Sequence, residues 1–176
     1  MLERFYPDRM EESAYGIDYE ELYGQGYRGI IYDVDNTLVE HGAPATARAV
    51  ELFSRLHGIG FSAVLLSNNK EPRVKSFARD VRYADYIFKA QKPSARGYRE
   101  AMRRMGTDEG TTIFIGDQLF TDVWGAKNAG IYSILVKPIH PKEEIQIVFK
   151  RQLEKIVLYF YRRRQKREEN DGGRKH

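Results

Sequence analysis

Five short apolar runs recur along the chain, and helical patterns separate most of them. The runs are residues 29–32, 61–66, 86–88, 111–115 and 131–136. Helices are predicted from Pro44 to about His57, from about Glu71, from Pro93 to about Met105, and from near Thr121 to Ala129. Strands that alternate with helices are typical of βαβ units. The order therefore predicts an α/β fold with a mainly parallel five-stranded sheet and helices on both faces.

The composition is that of a globular protein. A hydrophobic fraction of 41% in 176 residues is enough for one domain with a real core. The absence of cysteine excludes disulfides, zinc–thiolate sites and thiol catalysis, and it fits a cytoplasmic protein. No apolar run approaches the roughly 20 residues of a membrane span, and the charged N-terminus lacks the apolar segment of a signal peptide.

Polar residues follow four of the apolar runs, at the end of the run or a few residues after it. They are Asp33 and Asp35 after the first run, Ser67 and Asn68 after the second, Lys92 after the third, and Asp117 after the fourth. In parallel α/β sheets, ligands bind at the carboxyl ends of the strands. We therefore expect these side chains to meet at one rim of the sheet.

Asp33 and Asp35 are two residues apart, so in an extended segment their side chains point to the same side. The two carboxylates repel each other, and Mg²⁺, which prefers oxygen ligands, is one way to relieve the repulsion. Asp33 can then attack phosphorus, while Asp35 acts first as an acid and then as a base. The alternative is a pair of Asp residues that cap a turn. A calcium loop is excluded, because Leu38 and Pro44 occupy its glycine and acidic positions.

Each remaining candidate also has a structural alternative. The hydroxyl of Ser67 can donate to a phosphate oxygen or cap the helix that follows it. Lys92 precedes Pro93, the predicted first residue of a helix, and is either a phosphate clamp or a solvated lysine. Asp117 can ligate a metal from a strand end. Asp122, in the first turn of the next helix, is either a partner of the metal site or a residue favoured by the helix dipole.

The polar motifs occur in the order of the four motifs of the haloacid dehalogenase (HAD) superfamily, which the chain therefore resembles. They are Asp33-Val34-Asp35-Asn36-Thr37, Ser67, Lys92-Pro93 and the stretch from Gly116-Asp117 to Asp122. The resemblance implies a Rossmann-like three-layer sandwich, a Mg²⁺ cofactor, and phosphoryl transfer through an aspartyl-phosphate. Together the motifs span roughly residues 30–125.

The resemblance also assigns roles to individual residues. Asp33 is expected to be the nucleophile, and Asp35 the general acid and base. The expected phosphate-site and substrate-binding residues are Thr37, Ser67, Asn68 and Lys92. The expected metal-site residues are Asp33, Asp35 through its backbone carbonyl, Asp117 and Asp122. Asp35 further indicates a phosphatase, because family members that are not phosphatases often lack this second aspartate.

A closer resemblance is to the capless subfamily IIIA, which includes phosphatidylglycerophosphate phosphatases. It rests on Phe5-Tyr6-Pro7-Asp8, Ser67-Asn68-Asn69, Gly116 to Gly125, and Ile134 to Ile139. Gln91 departs from the pattern, which has a second lysine there. Only about thirty residues separate Asp35 from Ser67, and about twenty-five separate Ser67 from Lys92, which leaves no room for a cap domain. We therefore expect an open site that suits a lipid headgroup, a nucleic acid end or a protein.

The C-terminal segment is basic, and we expect the phosphatase domain to span residues 1–143 and a helix and tail to span 144–176. Residues 150–176 hold ten basic and four acidic side chains, against nineteen and twenty-one in the rest of the chain. A helix from Ile145 would carry one apolar face, formed by Ile145, Val148, Phe149, Leu153, Ile156, Tyr159 and Phe160. Such a helix can bind the plane of an anionic membrane, pack on the domain, or contact nucleic acid.

These observations together predict a Mg²⁺-dependent phosphatase that hydrolyses phosphatidylglycerophosphate at a membrane surface. One rival is a phosphatase of nucleotides or nucleic acid ends. Another is a HAD-like module without turnover that binds RNA or a membrane, although the complete set of motif residues argues against it.

Overall fold

The computed structural model describes residues 2–140 and 154–165 of the chain. Its centre is one parallel sheet with the strand order β1-β6-β5-β2-β3-β4. The strands are β1 (Arg9–Glu11), β2 (Gly29–Tyr32), β3 (Ser62–Leu66), β4 (Ala84–Ile87), β5 (Thr112–Gly116) and β6 (Tyr132–Val136). The predicted α/β fold is confirmed. The sheet has six strands rather than five, because the short β1 adds to its edge.

Helices connect the strands and cover the sheet. They are α1 (Tyr19–Gly24), α2 (Ala47–Ile59), α3 (Glu71–Val81), α4 (Ala95–Met105) and α5 (Trp124–Asn128). Short 3₁₀ turns span Glu3–Phe5 and Ala14–Gly16, and a π-helical turn, Leu119–Val123, leads into α5. Residues 154–165 form a further helix, α6. Within the described parts of the chain, no helix is both long and apolar enough to cross a membrane.

The start of α4 differs from the prediction. Pro93 was expected to be its first residue, but the helix begins at Ala95, because the Oγ of Ser94 accepts a hydrogen bond of 3.4 Å from the amide of Arg96 and caps it. Lys92 therefore lies before the cap instead of at the helix N-terminus, and its position must be explained by its tertiary contacts.

Alternating side chains of the central strands build a core on each face of the sheet. Ile30 and Tyr32 of β2 pack on the face covered by α2 and α3. Ile31, which points the other way, packs with Phe114 and with Tyr98 of α4. Both faces of β2 are fully buried, as expected for a central parallel strand. The predicted three-layer sandwich is thus confirmed.

The N-terminal segment is fixed to β6 by a cluster of polar contacts around Asp8. Its Oδ2 accepts hydrogen bonds of 2.8 Å from both the amide and the hydroxyl of Ser133. Its other carboxylate oxygen pairs with the ammonium of Lys127. Immediately after this cluster, Arg9 to Glu11 of β1 pair with Ile134 to Val136 of β6. The contacts of Asp8 thus hold the chain beside β6 at the point where the edge strand begins.

Helix α6 packs on the domain through a face other than the predicted one. Val157 and Tyr161 are buried, and Val157 contacts a cluster that contains Leu119 and Leu135. The rings of Tyr161 and Tyr6 lie 5.1 Å apart. Three members of the predicted apolar face, Ile156, Tyr159 and Phe160, are exposed. The other members of that face and the predicted domain boundary lie outside the described residues.

Candidate active site

The carboxyl ends of the central strands bring the predicted residues together. The amide of Asp33 donates a hydrogen bond of 2.9 Å to the carbonyl of Ile115, so the pairing of β2 with β5 continues one residue beyond the strand. Asp33 thus stands beside the end of β5, where Asp117 follows Gly116. Ser67 directly follows β3, the other neighbour of β2.

Three carboxylates converge at this rim. Oxygen atoms of Asp33, Asp117 and Asp122 lie within 4.8 Å of one another. Asp33 and Asp122 are buried, with exposed fractions of 7% and 1%. The hydroxyl of Thr37, also buried, lies 3.2 Å from Oδ1 of Asp117 and 3.5 Å from Oδ2 of Asp33. The two carboxylate oxygens next to Thr37 therefore form one corner of the cluster.

Lys92 supplies the positive charge on the other side of the cluster. Its Nζ lies 2.5 Å from Oδ1 of Asp33 and 2.7 Å from Oδ1 of Asp122. Burial alone would lower the pKa of the Lys92 ammonium, but the carboxylates of Asp122 and Asp33 more than offset this and raise the pKa above its usual value. Lys92 is therefore a permanent cation that holds the nucleophile candidate in place.

Gly116 allows Asp122 to approach the cluster. A Cβ atom at residue 116 would lie 2.5 Å from Oδ2 of Asp122, too close for any side chain. The same Oδ2 accepts a hydrogen bond of 3.0 Å from the amide of Gln118. Both oxygens of Asp122 are thus engaged, one by Lys92 and one by backbone.

The concentration of negative charge changes the acid–base properties of the cluster. Burial raises the pKa of Asp33 to about 7; Lys92 opposes the rise, while Asp122 adds to it. Burial also raises the pKa of Asp117 well above its usual value, helped by the charges of Asp33 and Asp122. A second cation is the simplest way to keep both carboxylates ionised at neutral pH.

The donor set fits Mg²⁺, a hard ion that takes carboxylate and carbonyl oxygens. The free corner next to Thr37 presents one oxygen each from Asp33 and Asp117. Asp122 is in the same group of carboxylates, but its oxygens already bind Lys92 and the Gln118 amide. Asp33 and Asp117 are therefore the side chains best placed to ligate the ion, and Asp122 fits the role of an anchor for Lys92.

The side chain of Asp35 points to a different set of partners. Its Oδ1 accepts hydrogen bonds of 2.9 Å from the amide of Gly42 and from the guanidinium of Arg73, and its Oδ2 accepts one of 2.9 Å from the side chain of Asn69. Burial would raise the pKa of Asp35, but the Gly42 amide, Arg73 and Asn69 together hold it below its usual value. Asp35 is thus ionised and fixed in orientation.

Sequence reasoning missed Arg73, Asn69 and Gly42 as partners of Asp35. Asn69 belongs to the quoted Ser67-Asn68-Asn69 motif, so a signal was available for it. Arg73 is a charged residue in the first turn of α3, where an exposed side chain is the usual outcome. Gly42 acts through its backbone, which leaves no trace in the residue type.

Ser67 and Asn68 have well-defined partners. The Oγ of Ser67 accepts a hydrogen bond of 3.1 Å from the amide of Asn69, and α3 is capped at Lys70 without a side-chain hydrogen bond. Ser67 is therefore not the cap of α3, and its hydroxyl proton can still be donated. The side chain of Asn68 bonds both the amide (2.8 Å) and the carbonyl (3.2 Å) of Lys92. Asn68 positions Lys92, and its contact with substrate stays a prediction.

Replacing Arg73 should slow turnover without preventing folding. Arg73→Met removes a charged donor that orients Asp35, and we expect kcat to fall about tenfold, which is less than the roughly hundredfold or more that a positioned general base contributes, because Gly42 and Asn69 still hold the carboxylate. Arg73→Lys should retain part of the rate. Arg79→Met, an exposed change on the same helix, is the matched control. Steady-state kinetics at saturating Mg²⁺ measure the effect, and an Arg73→Met protein with full kcat would contradict it.

The raised pKa of Asp33 predicts an unusual dependence of stability on pH in the metal-free protein. Its folded pKa of about 7 exceeds the ordinary value of 3.8, so the folded state binds more protons between these values and becomes more stable as the pH falls through 7. From pH 8 to pH 6 the gain from Asp33 is about 1 kcal/mol. Urea unfolding in EDTA measures it. The slope should be smaller in Asp33→Asn, where Asp117 still titrates with a raised pKa, and it should vanish with Mg²⁺ present; an unchanged slope in that variant would refute the prediction.

Comparison with known proteins agrees with this geometry. A family model described as HAD-hydrolase-like matches residues 89–145. The probable phosphatase YqeG of Bacillus subtilis is 37% identical over 166 residues, which cover 93% of this chain and 96% of that protein. Phosphatidylglycerophosphate phosphatase 1 of Arabidopsis thaliana is 24% identical over 84% of this chain and 44% of its own length.

Solved structures share the fold. The 3-deoxy-D-manno-octulosonate 8-phosphate phosphatase of Moraxella catarrhalis, determined with magnesium, phosphate and its sugar, superposes with a TM-score of 0.53 at 15% identity, over 70% of this chain and 76% of that one. A Legionella pneumophila protein described as a HAD subfamily III A hydrolase gives a TM-score of 0.53 at 14% identity, over 74% of each chain. With the near full-length match to YqeG, these similarities establish that the chain belongs to the HAD-like hydrolase family.

Proposed function

We propose that this protein is a Mg²⁺-dependent phosphatase that works through an aspartyl-phosphate on Asp33, and that its substrate is phosphatidylglycerophosphate. The observation that carries the proposal is the pairing of Asp33 with Lys92 at a strand end, next to Asp117. One oxygen of Asp33 is held by the ammonium, while the other lies at the free corner of the cluster, near Thr37. This arrangement fixes a carboxylate for attack on phosphorus.

In the first step, an oxygen of Asp33 attacks the phosphorus atom and the alkoxide leaves with a proton from Asp35. The negative charge of an approaching phosphate disfavours a second anion beside it, which promotes protonation of Asp35. In the second step, ionised Asp35 takes a proton from the water that hydrolyses the aspartyl-phosphate. The three hydrogen bonds that Asp35 accepts favour this ionised state.

The remaining residues of the rim support both steps. A bound Mg²⁺ would offset the negative charge of Asp33 and Asp117 and polarise a phosphoryl oxygen. Lys92 keeps Asp33 oriented and contributes positive charge to the developing transition state. The hydroxyl of Thr37, at the corner of the cluster, and that of Ser67, which follows β3 at the same rim, would serve as donors to phosphate oxygens.

The open rim supports a bulky substrate. Between β2 and β3 the chain holds a loop and α2, and between β3 and β4 it holds α3, so neither connection carries a cap domain. A relative that covers most of this chain is named for phosphatidylglycerophosphate. These two observations together favour a lipid phosphate over a small metabolite, which caps normally enclose.

The exposed face of α6 suggests how such a substrate is reached. Ile156, Tyr159 and Phe160 are 52%, 61% and 44% exposed, whereas Val157 and Tyr161 anchor the opposite side of the helix. An apolar and aromatic face on a basic helix is typical of binding in the plane of an anionic membrane. We therefore propose that α6 brings the rim to the surface where the lipid lies.

Phosphate release from a substrate panel tests the proposal. The full-length protein with Mg²⁺ is given phosphatidylglycerophosphate in mixed micelles, phosphorylated oligonucleotides, phosphopeptides and p-nitrophenyl phosphate. We expect the lipid to be hydrolysed with the highest kcat/KM, and EDTA to abolish release. Hydrolysis of the soluble esters with none of the lipid would refute the lipid substrate. If the protein forms no aspartyl-phosphate and releases no phosphate from any member of the panel, the proposed phosphatase activity is refuted.

A further inference from the structure

A cavity of about 470 Å³ lies beside the candidate active site. It includes Asp117 and Gln118, which follow β5, and it extends along the ends of β6 and β1 to α6. Met10, Leu119 and Leu135 give it an apolar wall. Because Asp117 belongs to both the carboxylate cluster and the cavity, a phosphate ester bound at Asp33 can extend its leaving group into this space.

Helix α6 forms the outer wall of the cavity. Glu154, Leu158 and Arg162, which are spaced four residues apart and so share one face, line it. The helix is held in place by the burial of Val157 and Tyr161. Oε1 of Glu154 also accepts a hydrogen bond of 3.3 Å from the amide of Leu119. The wall is thus part of the folded domain and not a loose appendage.

Arg162 is the charged residue of this wall that is available to bind a ligand. Glu11 is paired with Arg9 at 2.6 Å, and Glu12 is paired with Lys137 at 2.6 Å. Within residues 2–140 and 154–165, the guanidinium of Arg162 has no ion pair or hydrogen bond. A guanidinium binds phosphate oxygens with two parallel hydrogen bonds. The cavity therefore combines an apolar wall with a guanidinium that, within the described residues, is unpaired and can bind an anion.

We propose that this cavity is the leaving-group subsite, and that Arg162 determines specificity by binding a second anionic group, a phosphodiester, on the leaving group. The proposal rests on the proposed function, because a lipid such as phosphatidylglycerophosphate carries a phosphodiester one glycerol away from the phosphate that is removed. A substrate without that second anion would leave Arg162 without a partner. In this protein α6 would supply the selectivity that a cap domain supplies in larger relatives.

Binding of sn-glycero-3-phosphoglycerol, the water-soluble deacylated form of the product, tests the subsite apart from catalysis. Isothermal titration of the full-length protein with Mg²⁺ should detect binding. Arg162→Met should weaken it by about tenfold, the effect of one lost charge-assisted hydrogen-bonded pair. Arg162→Lys should retain part of the affinity. Arg163→Met removes the same charge from the next residue, which does not line the cavity, and should leave the Kd unchanged.

The selectivity of hydrolysis gives a second readout. The ratio of kcat/KM for deacylated phosphatidylglycerophosphate to kcat/KM for p-nitrophenyl phosphate should fall about tenfold in Arg162→Met, with an unchanged melting temperature. The subsite is refuted if the parent protein does not bind the glycerophosphodiester, or if Arg162→Met and Arg163→Met have the same Kd. If binding depends on Arg162 but the protein releases no phosphate, the proposed function is refuted and the anion subsite is not.

Discussion

Asp33→Asn should lower the rate of phosphate release by at least about a thousandfold, because the amide cannot form the acyl-phosphate on which both chemical steps depend. The variant should still fold. Its side chain keeps a similar volume, and the change removes one charge from a buried cluster in which burial and Asp122 raise the pKa of Asp33. Mass spectrometry of the acid-quenched protein should detect the phosphoryl adduct in the parent and none in the variant.

Asp85→Asn is a suitable control, because Asp85 lies exposed on β4 and pairs with Arg104 at the surface. It should retain full activity. The nucleophile assignment would be lost if Asp33→Asn kept a tenth of the parent rate, or if the phosphoryl adduct persisted in it.

Lys92→Met should be the most destabilising single change at the rim. It leaves the buried carboxylates of Asp33 and Asp122 without the ammonium that lies 2.5 and 2.7 Å from them. Removing one partner of a buried ion pair typically costs about 3–5 kcal/mol. The loss should be smaller at pH 5 than at pH 8, because the unpaired carboxylates can then take up protons. Urea unfolding at the two pH values measures both effects.

Lys75→Met is the matched control, since Lys75 is exposed on α3 and its loss should change the free energy of unfolding by less than about 0.5 kcal/mol. Mg²⁺ should recover part of the stability of Lys92→Met, because it supplies positive charge to the same cluster. If Lys92→Met unfolded at the same urea concentration as Lys75→Met, Lys92 could not be the counter-ion of the cluster.

The central strands and their polar ends were accessible from sequence because both follow from periodicity. A buried parallel strand must be apolar throughout, as Gly29–Tyr32 is, and the first polar residues after it must lie at the rim. Asp33 and Asp117 could thus be placed on the same rim of the sheet from the sequence, whereas their closeness was implied only by the family resemblance. The assignment of chemical roles within the rim stays a prediction.

Features that depend on tertiary contact were not accessible. Nothing in the local pattern of β1 marks a strand, because Arg9–Glu11 has no apolar run, and its partner β6 lies more than a hundred residues away in the chain. Helical spacing grouped Ile156, Tyr159 and Phe160 on one apolar face of α6, and these residues are exposed. Spacing could not show that Val157 and Tyr161 are the residues that pack on the domain, because their partners Leu119 and Tyr6 are distant in the chain. Similarly, only the folded chain brings Arg73 to Asp35.

The contact between Asp8 and Ser133 has a consequence for folding during synthesis. The two residues are 125 positions apart, so at a synthesis rate of 5–20 residues per second the N-terminal strand waits on the order of ten seconds for its partner to be made. Strands β2 to β5 precede β6 in the chain and can pair earlier, whereas β1 can pair only after β6 has been made. Strand β1 is therefore synthesised before the rest of the sheet, but its place in the sheet exists only once its neighbour β6 has been made.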